Sequence, residues 1–186
     1  MKKILLSFAF CLTTFLFASD PIEGYWKSMS GKNPSGYWYF YVENNFLCGV
    51  CLIAPKHSPD VLLDKCTHEY PRHPKGSNLK KFRRRDVPTI YGLKNIKTGV
   101  WKNGYVIDPR NGRYYICHIS FKPADGKKFK VDTLVFRGET KFGFGKTVHW
   151  YKATVSEINK AMQKNISECG SDYAKNNPQE FFVKEK

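Results

Sequence analysis

After residue 21 the apolar positions recur with a period of two rather than 3.6. Short runs rich in aromatic and β-branched residues alternate with Gly, Pro and Asn breaks. That is the pattern of strands with one buried face. It predicts eight strands, over residues 22–28, 36–43, 46–53, 88–94, 100–107, 113–121, 129–137 and 146–152. The breaks have turn chemistry. Asn44-Asn45 tolerates positive φ, Pro109 presets φ ahead of the reversal at Asn111-Gly112, and Ala124-Asp125-Gly126 repeats the device. Consecutive antiparallel strands with tight turns form an up-and-down meander. Closing the meander removes its edges, and eight strands enclose either a filled core or one small ligand.

Two stretches leave this pattern. Residues 54–86 form a long connection rich in Pro, His and basic residues, beyond the ordinary length of a loop. Residues 154–169 switch to helical spacing. Thr154-Val-Ser-Glu157 reads as a capping box, Ile158, Ala161, Met162, Ile166 and Cys169 share one face, and Gly170 stops the helix. Residues 171–186 read as a polar tail. The fold class is therefore all-β: an eight-stranded antiparallel up-and-down barrel, with a C-terminal α-helix packed on its outside.

The first residues follow a third pattern. Lys2 and Lys3 precede an apolar run to Ala18, and Ser19-Asp20-Pro21 breaks it. The run has signal-peptide length and is short for a membrane span, and no later stretch is apolar enough to cross a bilayer. Cys11 follows Phe10, where a lipid-attachment site needs a small residue. The expected organisation is a signal peptide over 1–18, a barrel over 20–152 carrying the 54–86 loop, and a helix and tail over 153–186. Export, to the periplasm or beyond, means an oxidising compartment. Five cysteines remain after cleavage: Cys48, Cys51, Cys66, Cys117 and Cys169. One or two disulfides are expected, with the pairing open and one thiol left over.

Composition narrows the function. An aromatic content of 16% within 41% hydrophobic residues excludes a disordered chain. Lys and Arg number 31 against 16 acids, a net charge of +15 that becomes +13 when residues 1–18 and their two lysines are removed. Residues 72–85 contain seven Lys/Arg and no acid. In an exported chain such a run meets envelope lipid phosphates or acidic glycans rather than nucleic acid. Charges this dense repel one another unless a partner neutralises them.

Other motifs are weak. Cys48-Gly-Val-Cys51 has redox spacing but lies on a strand, where positions three apart face opposite sides. His57, Asp60, Asp64, Cys66, His68, Glu69 and His73 are metal-ligand types without a metal-site spacing. No Gly-x-Ser-x-Gly elbow and no carboxylate pair is present. Phe142-Gly-Phe-Gly145 reads as a flexible rim loop. His118 and His149 lie on strands as core or surface residues.

Gly24-Tyr-Trp26 resembles the Gly-x-Trp that opens lipocalins and their calycin relatives. The resemblance implies that Trp26 plugs one barrel end beneath a cation, Lys152 or Arg137. The ordered set Pro21-Ile-Glu-Gly-Tyr-Trp-Lys27, Ile90-Tyr-Gly-Leu93, Trp101-Lys-Asn-Gly104, Ile107-Asp-Pro-Arg-Asn-Gly-Arg-Tyr-Tyr-Ile-Cys117, Arg137-Gly138 and Phe142-Gly-Phe-Gly-Lys-Thr-Val-His-Trp150 resembles a bacterial family of exported lipocalin-like barrels of unknown function. It implies a small barrel outside the cytoplasm with room for an apolar molecule, and no catalytic residues. Members often carry Cys-x-x-Cys in the long loop, whereas Leu63-Asp-Lys-Cys66 keeps only the second cysteine.

The function expected is an exported binding protein for a small apolar or amphipathic ligand, not an enzyme, with no cofactor and no metal. Trp26, Tyr39, Tyr115, Phe121 and Trp150 are the candidate core or pocket walls. Lys80, Lys81, Arg83, Arg84 and Arg85 are the candidate anion-binding set at the mouth. The alternative is a pocketless protein that docks on envelope or host surfaces through its basic loop.

Overall fold

Residues 19–184 are described by a computed structural model; the leader expected over 1–18 lies outside the described residues. Strands β1 (Gly24–Ser30), β2 (Asn33–Glu43), β3 (Phe46–Ile53), β4 (Ile90–Lys97), β5 (Val100–Ile107), β6 (Tyr114–Lys122), β7 (Thr133–Glu139) and β8 (Gly145–Lys152) follow one another around a closed antiparallel barrel. The up-and-down order is the expected one, with strand ends shifted by a few residues. The pairings differ in length. β7 and β8 share seven register pairs, whereas β1 and β8 share three, as do β3 and β4.

Alternation along β2 sorts its rings by chemistry. Trp38 and Phe40 face the barrel interior, while Tyr37, Tyr39 and Tyr41 face out. Phe40 fills the interior because Gly49 stands opposite on β3; a Cβ there would meet its ring at 2.7 Å. One barrel end is closed by Trp26, which is fully buried and donates from Nε1 to the Ile22 carbonyl at 2.7 Å. The Lys152 ammonium lies 4.5 Å from the Trp26 ring centroid and donates to the Glu23 carbonyl. Lys152 thus supplies the cation of the plug. Arg137 instead lies on the outer face, donating to Glu139, which also holds His118.

Helix α1 (Val155–Cys169) covers the outside of β1–β3, burying Ile158, Met162 and Ile166 against Tyr37, Leu52 and Ile53. Thr154 caps it by accepting from the Glu157 N–H at 3.1 Å. The Glu157 carboxylate does not complete the capping box. It accepts from Lys27 at 2.7 Å and ties helix to barrel. Gly170 ends the helix at φ −65°, without a left-handed turn; a Cβ there would sit 2.4 Å from the Ile166 carbonyl oxygen.

The C-terminal segment is not the polar tail that its composition predicts. It forms a short helix α2 (Asp172–Asn176) and a 3₁₀ turn (Pro178–Glu180), and it buries Phe181 to 1% exposure. Ala174 is fully buried as well, and Phe182 and Val183 pack against the same cluster, so several apolar contacts hold an otherwise polar segment.

The long connection is likewise built. It lies as a strap on the outer face of β3–β6, packing Leu63, Cys66, Tyr70 and Leu79 against Cys48, Tyr91 and Ile107. Leu79 N–H donates to Cys66 O at 2.8 Å, Leu62 and Arg83 form a bridge, and the Tyr70 hydroxyl donates to the Gly112 carbonyl at 2.8 Å. The ligand-type residues are dispersed within it, and among the described residues no three gather as a metal site. His73 contacts the Pro88 carbonyl and the Tyr91 ring. The five cysteines among the described residues are free thiols, so the expected disulfides are absent there. Cys48 faces the strap and Cys51 the interior side, as strand alternation requires.

Asp60 accepts hydrogen bonds from Ser58 and from Ser171, latching the strap to the C-terminal segment. Burial pushes its carboxyl up, but the two hydroxyls outweigh this and leave it below its ordinary value. A depressed carboxyl stabilises the fold fully above its unfolded pKa of 3.8 and loses that contribution as pH falls through the folded value. Protease accessibility of the C-terminal segment is therefore expected to rise on acidification below about pH 4, and Asp60→Asn to remove that pH dependence.

Candidate functional site

Four connections surround the barrel end opposite the Trp26 plug: residues 31–32, 54–89, 108–113 and 140–144. Inside them is an opening of about 590 Å³ with walls from Trp38, Val106, Phe136 and Val148. Tyr115 and Phe144 line it nearer the rim. Trp150 packs behind two of these walls and does not itself line the opening. Its ring stacks on Phe136 at 4.9 Å and on Trp38 at 5.0 Å between centroids. Beneath it the interior is filled by Phe40, Leu47, Ile119, Leu134 and Trp26. The sequence left a filled core and a ligand cavity as alternatives. The barrel is filled at one end and open at the other.

A smaller cleft of about 230 Å³ shares Trp38, Asp108, Pro109 and Arg110 with this opening and continues it to Cys51, Thr89 and Arg84. Its acid is already engaged. Arg110 donates to both oxygens of Asp108, at 2.9 and 2.7 Å, and holds that carboxyl below its usual range. Burial pushes the Cys51 thiol up to about 12, against the pull of the Arg84 charge. Cys51 therefore stays protonated near neutral pH and is a poor nucleophile.

The five aromatic candidates separate. Tyr115 lines the opening, and Trp150 lies behind it, stacked on Trp38 and Phe136. Trp26 and Phe121 belong to the closed end, with ring centroids 6.2 Å apart. Tyr39 is outside the barrel, between Tyr25 and Tyr41 near α1. The residue missed beside it is Trp38. With rings on both faces of β2, hydrophobicity does not give the register. The available signal was hydroxyl content, since the three tyrosines alternate with rings that have no hydroxyl.

The basic candidates separate too. Lys80 and Lys81 are exposed. Arg83 pairs with Asp86 at 2.6 Å and approaches Glu180. Arg85 donates to the Phe181 carbonyl and lies 4.9 Å from the Phe181 ring. Two of the arginines are thus engaged within the chain, by Asp86 of the strap and by the C-terminal segment. Arg84 alone of the run lines the mouth, so the five do not form one anion-binding set.

Comparison with known proteins agrees with this architecture. A protein of Helicobacter pylori, HP1028, described as belonging to the lipocalin family, superposes with a TM-score of 0.56 at 17% identity, covering 76% of this chain and 89% of its own. At that identity the likeness concerns the fold. A search of curated proteins gave no match. Residues 24–152 match the model of a family described as "Uncharacterized protein conserved in bacteria (DUF2147)". The matched span runs from the plug strand to the last barrel strand, and the chain is a lipocalin-like member of that bacterial family.

Proposed function

We propose that this chain is an exported carrier that holds a small apolar or amphipathic molecule in the mouth of its barrel, without chemistry of its own. The observation that supports it is the opening of about 590 Å³ above the Trp38–Trp150–Phe136 stack, in a barrel otherwise filled. Sites of this size and apolar lining suit one small ligand. The leader expected over residues 1–18 is the basis for export. Docking through the basic loop has less support, because Arg83 is paired with Asp86 of the same strap and Arg85 is held by the Phe181 carbonyl.

The neutral probe N-phenyl-1-naphthylamine is expected to bind the full chain and to quench tryptophan fluorescence. Gly138 lines the mouth, and a Cβ there makes only ordinary contacts, the nearest at 3.7 Å. Gly138→Leu should narrow the opening. It should weaken the probe about 10-fold or more while shifting stability by less than about 1.5 kcal/mol. No binding to the unmodified protein, or undiminished binding to Gly138→Leu, would sink the reading.

A further inference from the structure

Arg84 is 9% exposed, yet it lines the mouth cleft beside Trp38. Its backbone is fixed, with N–H donating to Val61 O at 2.9 Å inside the strap. Its side chain is not satisfied. Nε has no hydrogen-bond partner, and among the described residues no carboxylate pairs with its guanidinium. Asp108 feels the Arg84 charge, but both its oxygens are held by Arg110. A desolvated guanidinium without a counter-ion is costly, and one that already faces a cleft offers bidentate donors to an entering oxyanion. Ser35 and Thr89, both with hydroxyls, line the same cleft. Trp38, Asp108, Pro109 and Arg110 are common to this cleft and the larger, more apolar opening, so a molecule spanning both has its acid at one end and its apolar part at the other.

We propose that the Arg84 cleft is the headgroup site of the barrel, and that the ligand is an anionic amphiphile: a carboxylate or phosphate ester on an apolar body. The inference rests on the mouth being the ligand site, and it adds the charge and orientation of what enters. The apolar part lies over the Trp38–Trp150 stack and the oxyanion turns toward the strap.

Displacement of N-phenyl-1-naphthylamine from the full chain by dodecanoate, dodecanol and inorganic phosphate tests it. Dodecanoate is expected to bind about 10-fold or more tighter than dodecanol. Arg84→Met keeps the length of the side chain and removes its charge. It should abolish that difference and leave dodecanol unchanged. Arg84→Lys keeps the charge but not the fork, and should retain a weaker preference for the acid. It serves also if the Met variant does not fold. Equal affinity for acid and alcohol in the unmodified protein overturns the headgroup site and leaves the pocket standing. An acid preference that survives in Arg84→Met, or that Arg84→Lys leaves undiminished, removes Arg84 from the role. Phosphate that competes at the same concentration as dodecanoate makes the cleft a free-anion site and overturns the amphiphile. Failure of every probe, the neutral one included, overturns the pocket and this inference together.

Discussion

Trp26→Ala is expected to lower folding stability by about 3–5 kcal/mol, read as a fall in the urea midpoint with an unchanged slope. Three losses coincide. The indole is fully buried, so its removal leaves a void at the closed end. The Ile22 carbonyl loses its 2.7 Å donor. The Lys152 ammonium, held below its ordinary pKa by burial, loses the ring beneath it. Trp26→Phe should recover the packing but not the hydrogen bond, and fall between. Trp38→Ala is the contrast. Trp38 is only half-buried and lines the opening, so its loss should weaken N-phenyl-1-naphthylamine more than it lowers the midpoint. Equal midpoints for the two alanine variants would refute the division of the barrel into a structural end and a binding end.

Gly112→Ala should cost about 3 kcal/mol or more, although it adds a single methyl group. Its φ of +71° disfavours any side chain by about 1–2 kcal/mol. A Cβ there would also sit 2.1 Å from the Lys65 carbonyl oxygen, backbone against backbone. The β5–β6 turn and the strap cannot both keep their places. The Tyr70 hydroxyl, bound to the Gly112 carbonyl, would be displaced with them. Gly126→Ala provides the control: its φ is +67° and nothing lies within 4 Å of its Cβ, so it should cost only the conformational part. Because Arg84 is carried on the strap, Gly112→Ala should also reduce the preference for dodecanoate over dodecanol. If the two variants are equally stable, the strap does not bear on the turn.

The barrel was legible because its information is local. Period-two runs separated by Asn-Asn and Pro-Arg-Asn-Gly turns define a meander, and β3 and β5 have the bounds that the pattern predicts. The plug followed from Gly24-Tyr-Trp26, and Lys152 was one of the two cations named for it. What was not legible depends on contacts between distant segments. Phe181 looks like a stray ring in a polar tail until Arg83 and Arg85 are found against it. The same contacts turn an apparent electrostatic patch into an internal clasp, and single out Arg84 from neighbours that it resembles in sequence. Tyr39 and Trp38 exchange roles on a one-residue choice of face, which no composition argument decides.

Closure of the barrel is uneven, since the β1–β8 and β3–β4 seams each hold three register pairs while β7–β8 holds seven. The two short seams divide the wall into a three-stranded leaf, β1–β3, backed by α1, and a five-stranded leaf, β4–β8. Mechanically the molecule is two curved leaves sewn along two weak lines. The closed end clamps one line, through Lys152 over the Trp26 ring, and the strap bridges the other from outside. Trp38 and Cys51 belong to one leaf, and Val106, Phe136 and Val148 to the other. Rotating one leaf about the clamp would therefore alter the width of the mouth while leaving the long ladders, such as β7–β8, unbroken.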